Sequence, residues 1–155
     1  MSTSLLSALT DYYDLLDQRA ESQDIDVPSE LEFTPGPQDD LESMIWVLTY
    51  AILLHHQESL QKLARTNYKR KVVDELYGSL SYSGLAEKRT IMVYWGSNHR
   101  ANQPKQWIPD PTQCKWFRRA MTLVDSQVKP SPDDSLKFIT FDAFDALCDE
   151  FITDE

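Results

Sequence analysis

A chain of 155 residues, 41% apolar and 26% charged, has the composition of one globular domain and not that of a disordered segment. Its net charge of −10 argues against general nucleic-acid binding, whose affinity comes chiefly from neutralised phosphates. Two cysteines, Cys114 and Cys148, are too few for a disulfide framework and predict a reduced intracellular setting, cytoplasmic or nuclear. Met1 to Ser7 carries no base, and Asp11, Asp14 and Asp17 follow at once, so no targeting segment is predicted; a mature secreted protein whose leader had been removed fits the same residues.

In chain order, residues 3 to 20 place Leu5, Leu9, Tyr12, Tyr13 and Leu16 three and four apart. This spacing predicts an amphipathic helix within residues 1–21, with Ser2 to Ser4 available as N-caps. Residues 22–38 contain Pro28, Pro35, Gly36 and Pro37 and read as an extended connector. Then comes the most distinctive run of the chain: from Met44 to Leu54 only Thr49 is polar, with Asp39 and Asp40 ahead of it. A surface helix shows one apolar stripe, so this run predicts a helix over 39–56 buried nearly all round, with an acidic cap at Asp39 or Asp40. It is shorter than the roughly 20 apolar residues a bilayer span needs, and no membrane contact is predicted.

Leu60 to Ala64 and Tyr68 to Leu80 predict two short helices, the second with Val72, Val73, Leu76 and Tyr77 on its apolar stripe. Gly78 and Gly84 bracket a turn, and a helix from Leu85 to Trp95 stops at Gly96-Ser97-Asn98. Residues 98–110 read as a loop. A helix from Pro111 to Val124 follows, with Trp116, Phe117, Ala120, Met121 and Val124 inward. After a proline-containing loop, Thr140 caps a helix through Phe151 with Phe141, Phe144, Leu147, Cys148 and Phe151 on one stripe. The expected fold is all-α, a single helical domain over residues 1–155 built around the helix at 39–56.

The string Asp39-Asp40-Leu41-Glu42-Ser43, with the aromatic and aliphatic run after it, resembles the opening of the long buried helix in the C-terminal lobe of protein kinases. It is most similar to casein-kinase-like and fungal-type kinases. Leu76-Tyr77-Gly78-Ser79-Leu80-Ser81, then Leu85 and Lys88-Arg89, looks like a Phe-Gly-x-x-Ser element of the fungal-type family. The resemblance implies a lobe-like helical region over 39–155. It also implies for Asp40 the aspartate that, in kinases, holds the catalytic-loop backbone. The residues around Asp40 offer no such loop, and a structural cap is the simpler reading.

Kinase chemistry requires a glycine-rich phosphate loop, a lysine–glutamate pair, a His-Arg-Asp catalytic loop and a metal-binding Asp-Phe-Gly. The sequence has no Gly-x-Gly, and Asn98-His99-Arg100 leads into alanine. Residues 1–38 are too few for a nucleotide-binding lobe. No enzyme activity and no cofactor are therefore predicted. His55, His56 and Glu58 make a poor metal set without a further ligand of known position, and a polar helix end explains them.

Charge is unevenly spread. Residues 1–45 hold eleven acids and one base, residues 46–124 five acids and twelve bases, and residues 125–155 nine acids and two bases. A basic middle neutralised by acidic ends accounts for this. A basic face built from Lys69-Arg70-Lys71, Lys88-Arg89 and Arg118-Arg119 would instead meet phosphate or an acidic partner. Trp107, in a polar and proline-flanked stretch, is the natural candidate anchor for a partner, with Tyr82, Arg118 and Arg119 beside it as candidates.

The expected function is a non-catalytic protein-interaction or regulatory domain that binds a protein partner or itself, with no nucleic acid and no membrane. The alternatives are half of a split kinase or residual nucleotide binder, and an unrelated helical structural or regulatory protein.

Overall fold

A computed structural model describes residues 2–21, 33–62, 68–78, 81–98, 104–106, 108–128 and 139–152. Among them are seven α-helices and no strand: α1 Thr3–Glu21, α2 Pro37–His55, α3 Gln57–Gln61, α4 Tyr68–Gly78, α5 Tyr82–Ser97, α6 Pro111–Val128 and α7 Phe141–Ile152. One 3-10 turn, Pro104–Gln106, falls within the stretch expected as a loop.

The helix starts follow from local chemistry. The first N–H groups of a helix lack internal acceptors, and a side-chain oxygen just before the helix supplies one. Ser2 Oγ accepts from Leu5 N–H, Ser81 Oγ from Gly84 N–H, Asp110 Oδ1 from Gln113 N–H and Thr140 Oγ1 from Ala143 N–H. Proline at the first helical position of α2 and α6 costs nothing, because its missing N–H would have had no partner.

In α2 this moves the cap. The expected cap was Asp39 or Asp40, but the N-cap residue is Gly36. Asp39 is the third helical residue, and its carboxylate accepts from Gly36 N–H at 2.8 Å. Asp40 is exposed in the first turn and caps nothing; it contributes only a negative charge at the helix's positive end. Of the expected connector 22–38, residues 37 and 38 belong to α2 and residues 22–32 lie outside the described residues.

The all-α expectation holds, but the helix at its heart is not the expected one. α5 packs against α1, α4 and α6, and α6 in turn meets α5, α7 and α2. The α5–α6 approach is close: a Cβ on Gly96 would collide with Met121 Cβ, so only glycine fits. Met92, Val93 and Trp95 of α5 and the predicted inward set of α6 (Trp116, Phe117, Ala120, Met121, Val124) form the bulk of the core, joined by Val72 and Val73 of α4.

α2 lies against this pair instead of inside it. Leu41, Ile45, Trp46, Thr49, Ile52 and Leu53 are buried, yet Met44 is 50%, Val47 65% and Leu54 59% exposed. The expectation of burial all round is thus corrected: half of an all-apolar helix is covered and half is not. Two smaller corrections have the same origin. Leu6, outside the expected stripe, is the fully buried residue of α1, and Phe141, expected inside, is 69% exposed at the start of α7.

A buried polar knot ties α1, α2 and α5 together. Glu42 is 1% exposed. Its Oε1 accepts from Thr3 N–H at 2.9 Å, from Trp46 Nε1–H at 3.0 Å and from the Thr3 hydroxyl. Arg89 of α5, 4% exposed, lies with its guanidinium carbon 4.6 Å from the centre of the Trp46 ring and donates from Nε to Tyr50 OH at 3.2 Å. Charged groups this deep persist only when hydrogen-bonded, and these are.

Glu42→Ala leaves Thr3 N–H and Trp46 Nε1–H without their acceptor, at about 1–3 kcal/mol for each buried donor. Urea denaturation should therefore show a loss of about 2–6 kcal/mol, with Glu42→Gln, which keeps one acceptor oxygen, losing clearly less.

Candidate functional site

The uncovered residues of α2 are not scattered. Met44, Val47, Leu48, Ala51 and Leu54 recur at spacings of three and four, which places them on one stripe of the helix. No Asp, Glu, Lys, Arg or His occurs between Ser43 and Leu54. A contiguous apolar stripe facing water marks an interaction surface more often than a solitary exposed leucine does.

The stripe runs into a groove. Leu48 and Ala51 belong to both, and with Ile52 they form one wall of an open cavity of about 380 Å³. Gln113 and Trp116 of α6 form its floor, and Cys148 and Ile152 of α7 its far wall. His55 closes the end at the C-terminus of α2. Next to it, His56 Nε2 lies 2.7 Å from Gln113 Oε1, a contact that joins the end of α2 to the start of α6. The His55 and His56 rings meet edge to face at 4.9 Å. Among the described residues, no three His, Cys, Asp or Glu side chains are grouped so as to hold a metal ion.

Cys148 in the groove has a displaced titration. Burial pushes its thiol upward, and the carboxylates of Asp145 and Asp149 push it further. A thiol so placed is protonated at neutral pH and a weak nucleophile. Cys114, on the buried side of α6, is likewise a free thiol.

The residues singled out from the sequence do not meet at this groove. Trp107 lies outside the described residues. Tyr82 opens α5, and its ring stacks on that of Tyr13 at 5.5 Å, so it joins α5 to α1 while remaining 38% exposed. Arg118 is half-buried on α6. Arg119 is exposed and borders a second groove, between α6 and α7, with Leu123 and Leu147. The basic face is broken as well: Arg89 is interior, and Arg70 pairs with Asp74 at 3.5 Å.

Sequence reading missed the groove because it treated an all-apolar helix as wholly interior. The available signal was the spacing of Met44, Val47, Leu48, Ala51 and Leu54. It marks a second apolar stripe, opposite the one headed by Leu41 and Ile45, and each stripe needs a cover of its own.

Fold and groove together define an all-α domain with an open apolar cleft between three helices. Set against family models, curated proteins and solved structures, the chain matches none. Among the described residues no helix is long and apolar enough to cross a membrane.

Alkylation of Cys148 by iodoacetamide, followed by peptide mapping against pH, should rise only above the range of an ordinary thiol. Asp145→Asn removes a negative charge that opposes the thiolate and should move the profile to lower pH.

Proposed function

We propose that this protein is a non-catalytic interaction domain that docks another protein on the apolar face of α2. One observation carries the reading: the stripe from Met44 to Leu54 faces solvent and continues into the groove against α6 and α7. Leaving so much apolar surface in water costs about 25 cal/mol for each Å² that a partner could cover, which is the driving force for association.

The likeness of Asp39–Ser43 to the kinase C-terminal lobe supports a scaffold of that ancestry without its chemistry. The catalytic motifs are missing from the sequence. Among the described residues the buried Glu42 and Arg89 are taken up in joining helices. α1, which packs on α5 and α2, covers part of what such a lobe would otherwise expose.

A photo-crosslinking residue at position 47 tests the reading directly, with position 94 as the control because Tyr94 is equally open on α5. Position 47 should yield discrete protein adducts in the native cell and position 94 none; adducts from neither, or equally from both, reject α2 as the docking face. For the rival nucleotide-binding reading, ligand at 100 times its dissociation constant would stabilise the fold by about 2.7 kcal/mol. ATP with magnesium should produce no shift in melting temperature.

A further inference from the structure

We infer that the groove between α2, α6 and α7 seats an amphipathic helix of a partner protein, apolar on the side it buries and basic along the edge that meets α7. This rests on the docking reading above and adds the chemistry of the occupant.

The walls differ in charge. The α2 wall of Leu48, Ala51 and Ile52 is apolar and is continued by the exposed Met44, Val47 and Leu54, with the small Ala51 allowing a backbone to approach closely. The α7 edge is acidic: Asp145 and Asp149 flank the groove residues Cys148 and Ile152, and Phe141–Ile152 contains no base. Asp145 sits one turn before Cys148 and Asp149 one turn before Ile152, on the same side of the helix as these two groove residues. Their negative field reaches the groove, since it acts on the Cys148 thiol. The C-terminal end of α7 adds the negative pole of its own dipole beside Ile152.

The dimensions fit a helix. Leu54 follows Met44 by ten positions along α2, roughly 15 Å or about three turns, the length over which a bound helix sets anchors at i, i+3 or i+4, and i+7. A second copy of this chain fits poorly. It would bring another acidic α7 edge and another net charge of −10 against the first.

The test uses two designed helical peptides of about 14 residues that share one leucine stripe, flanked by lysine and arginine in one and by glutamate in the other. Fluorescence anisotropy measures their binding to the full chain and to two variants at exposed positions, Leu48→Gln in the groove and Asp145→Lys on its α7 edge, whose helicity is checked by circular dichroism. The basic peptide should bind the wild type. Its affinity should fall about tenfold with Leu48→Gln, the scale of a lost leucine contact, and about fivefold with Asp145→Lys. The acidic peptide should bind weakly and gain on Asp145→Lys.

Equal binding of both peptides, indifferent to Asp145→Lys, overturns the basic occupant and leaves the docking face standing. Binding of the basic peptide that survives Leu48→Gln is adsorption by charge and overturns the seat in the groove. Dimers that Leu48→Gln disperses, with no peptide bound, assign the face to a second copy. No peptide binding and no self-association removes both this inference and the reading beneath it.

Discussion

Glu42 must find hydrogen-bond donors, because a carboxylate removed from water loses far more hydration than any packing returns. It finds them in Thr3 and in the indole of Trp46, one turn along its own helix. That contact ties α2 to the first turn of α1, and Arg89 from α5 lies over the same indole. With one side of α2 held against α1 and α5, the rotation of the helix about its axis is no longer free. The stripe that carries Leu41, Ile45, Trp46 and Thr49 turns inward, and the stripe that carries Met44, Val47 and Leu48 turns out.

This rotational lock links core and surface. A helix apolar on all sides has no hydrophobic preference for which half to bury. Here the choice is made by the polar groups at positions 42 and 89. The close contact of α5 and α6 at Gly96 then keeps the α6–α7 side of the bundle compact, so that Trp116 and Ile152 face α2 across a cleft. An apolar face, a neutral wall and an acidic wall follow from that arrangement. Within that cleft the Cys148 thiol is pushed upward by burial and by the carboxylates of Asp145 and Asp149.

Much of the helix content was readable from spacing alone. The buried set of α6 from Trp116 to Val124 was anticipated residue by residue, as was the Thr140 cap of α7, because both rest on local rules: stripe periodicity and N-terminal donors that need acceptors. The α2 cap was misplaced by several residues because Pro37 opens the helix earlier than the acids suggest. The basic clusters misled for a different reason. A run such as Lys88-Arg89 says nothing about which residue turns inward, and Arg89 does so to lie on Trp46 and Tyr50. The groove lines up Leu48, Trp116 and Cys148 from three helices, and no local pattern joins positions that far apart.

What the sequence determined by itself is an acidic, all-helical chain with one helix apolar on every side and without the motifs of phosphoryl transfer. Periodicity, capping and motif chemistry act over a few residues, so they can be read in one dimension. The tertiary structure decided which half of α2 meets water, that α5 and α6 and not α2 form the centre, and that an acidic α7 borders an apolar cleft. Those outcomes depend on contacts between distant segments: the Glu42 carboxylate reaching the first turn of α1, Arg89 reaching the Trp46 ring, and Gly96 admitting Met121.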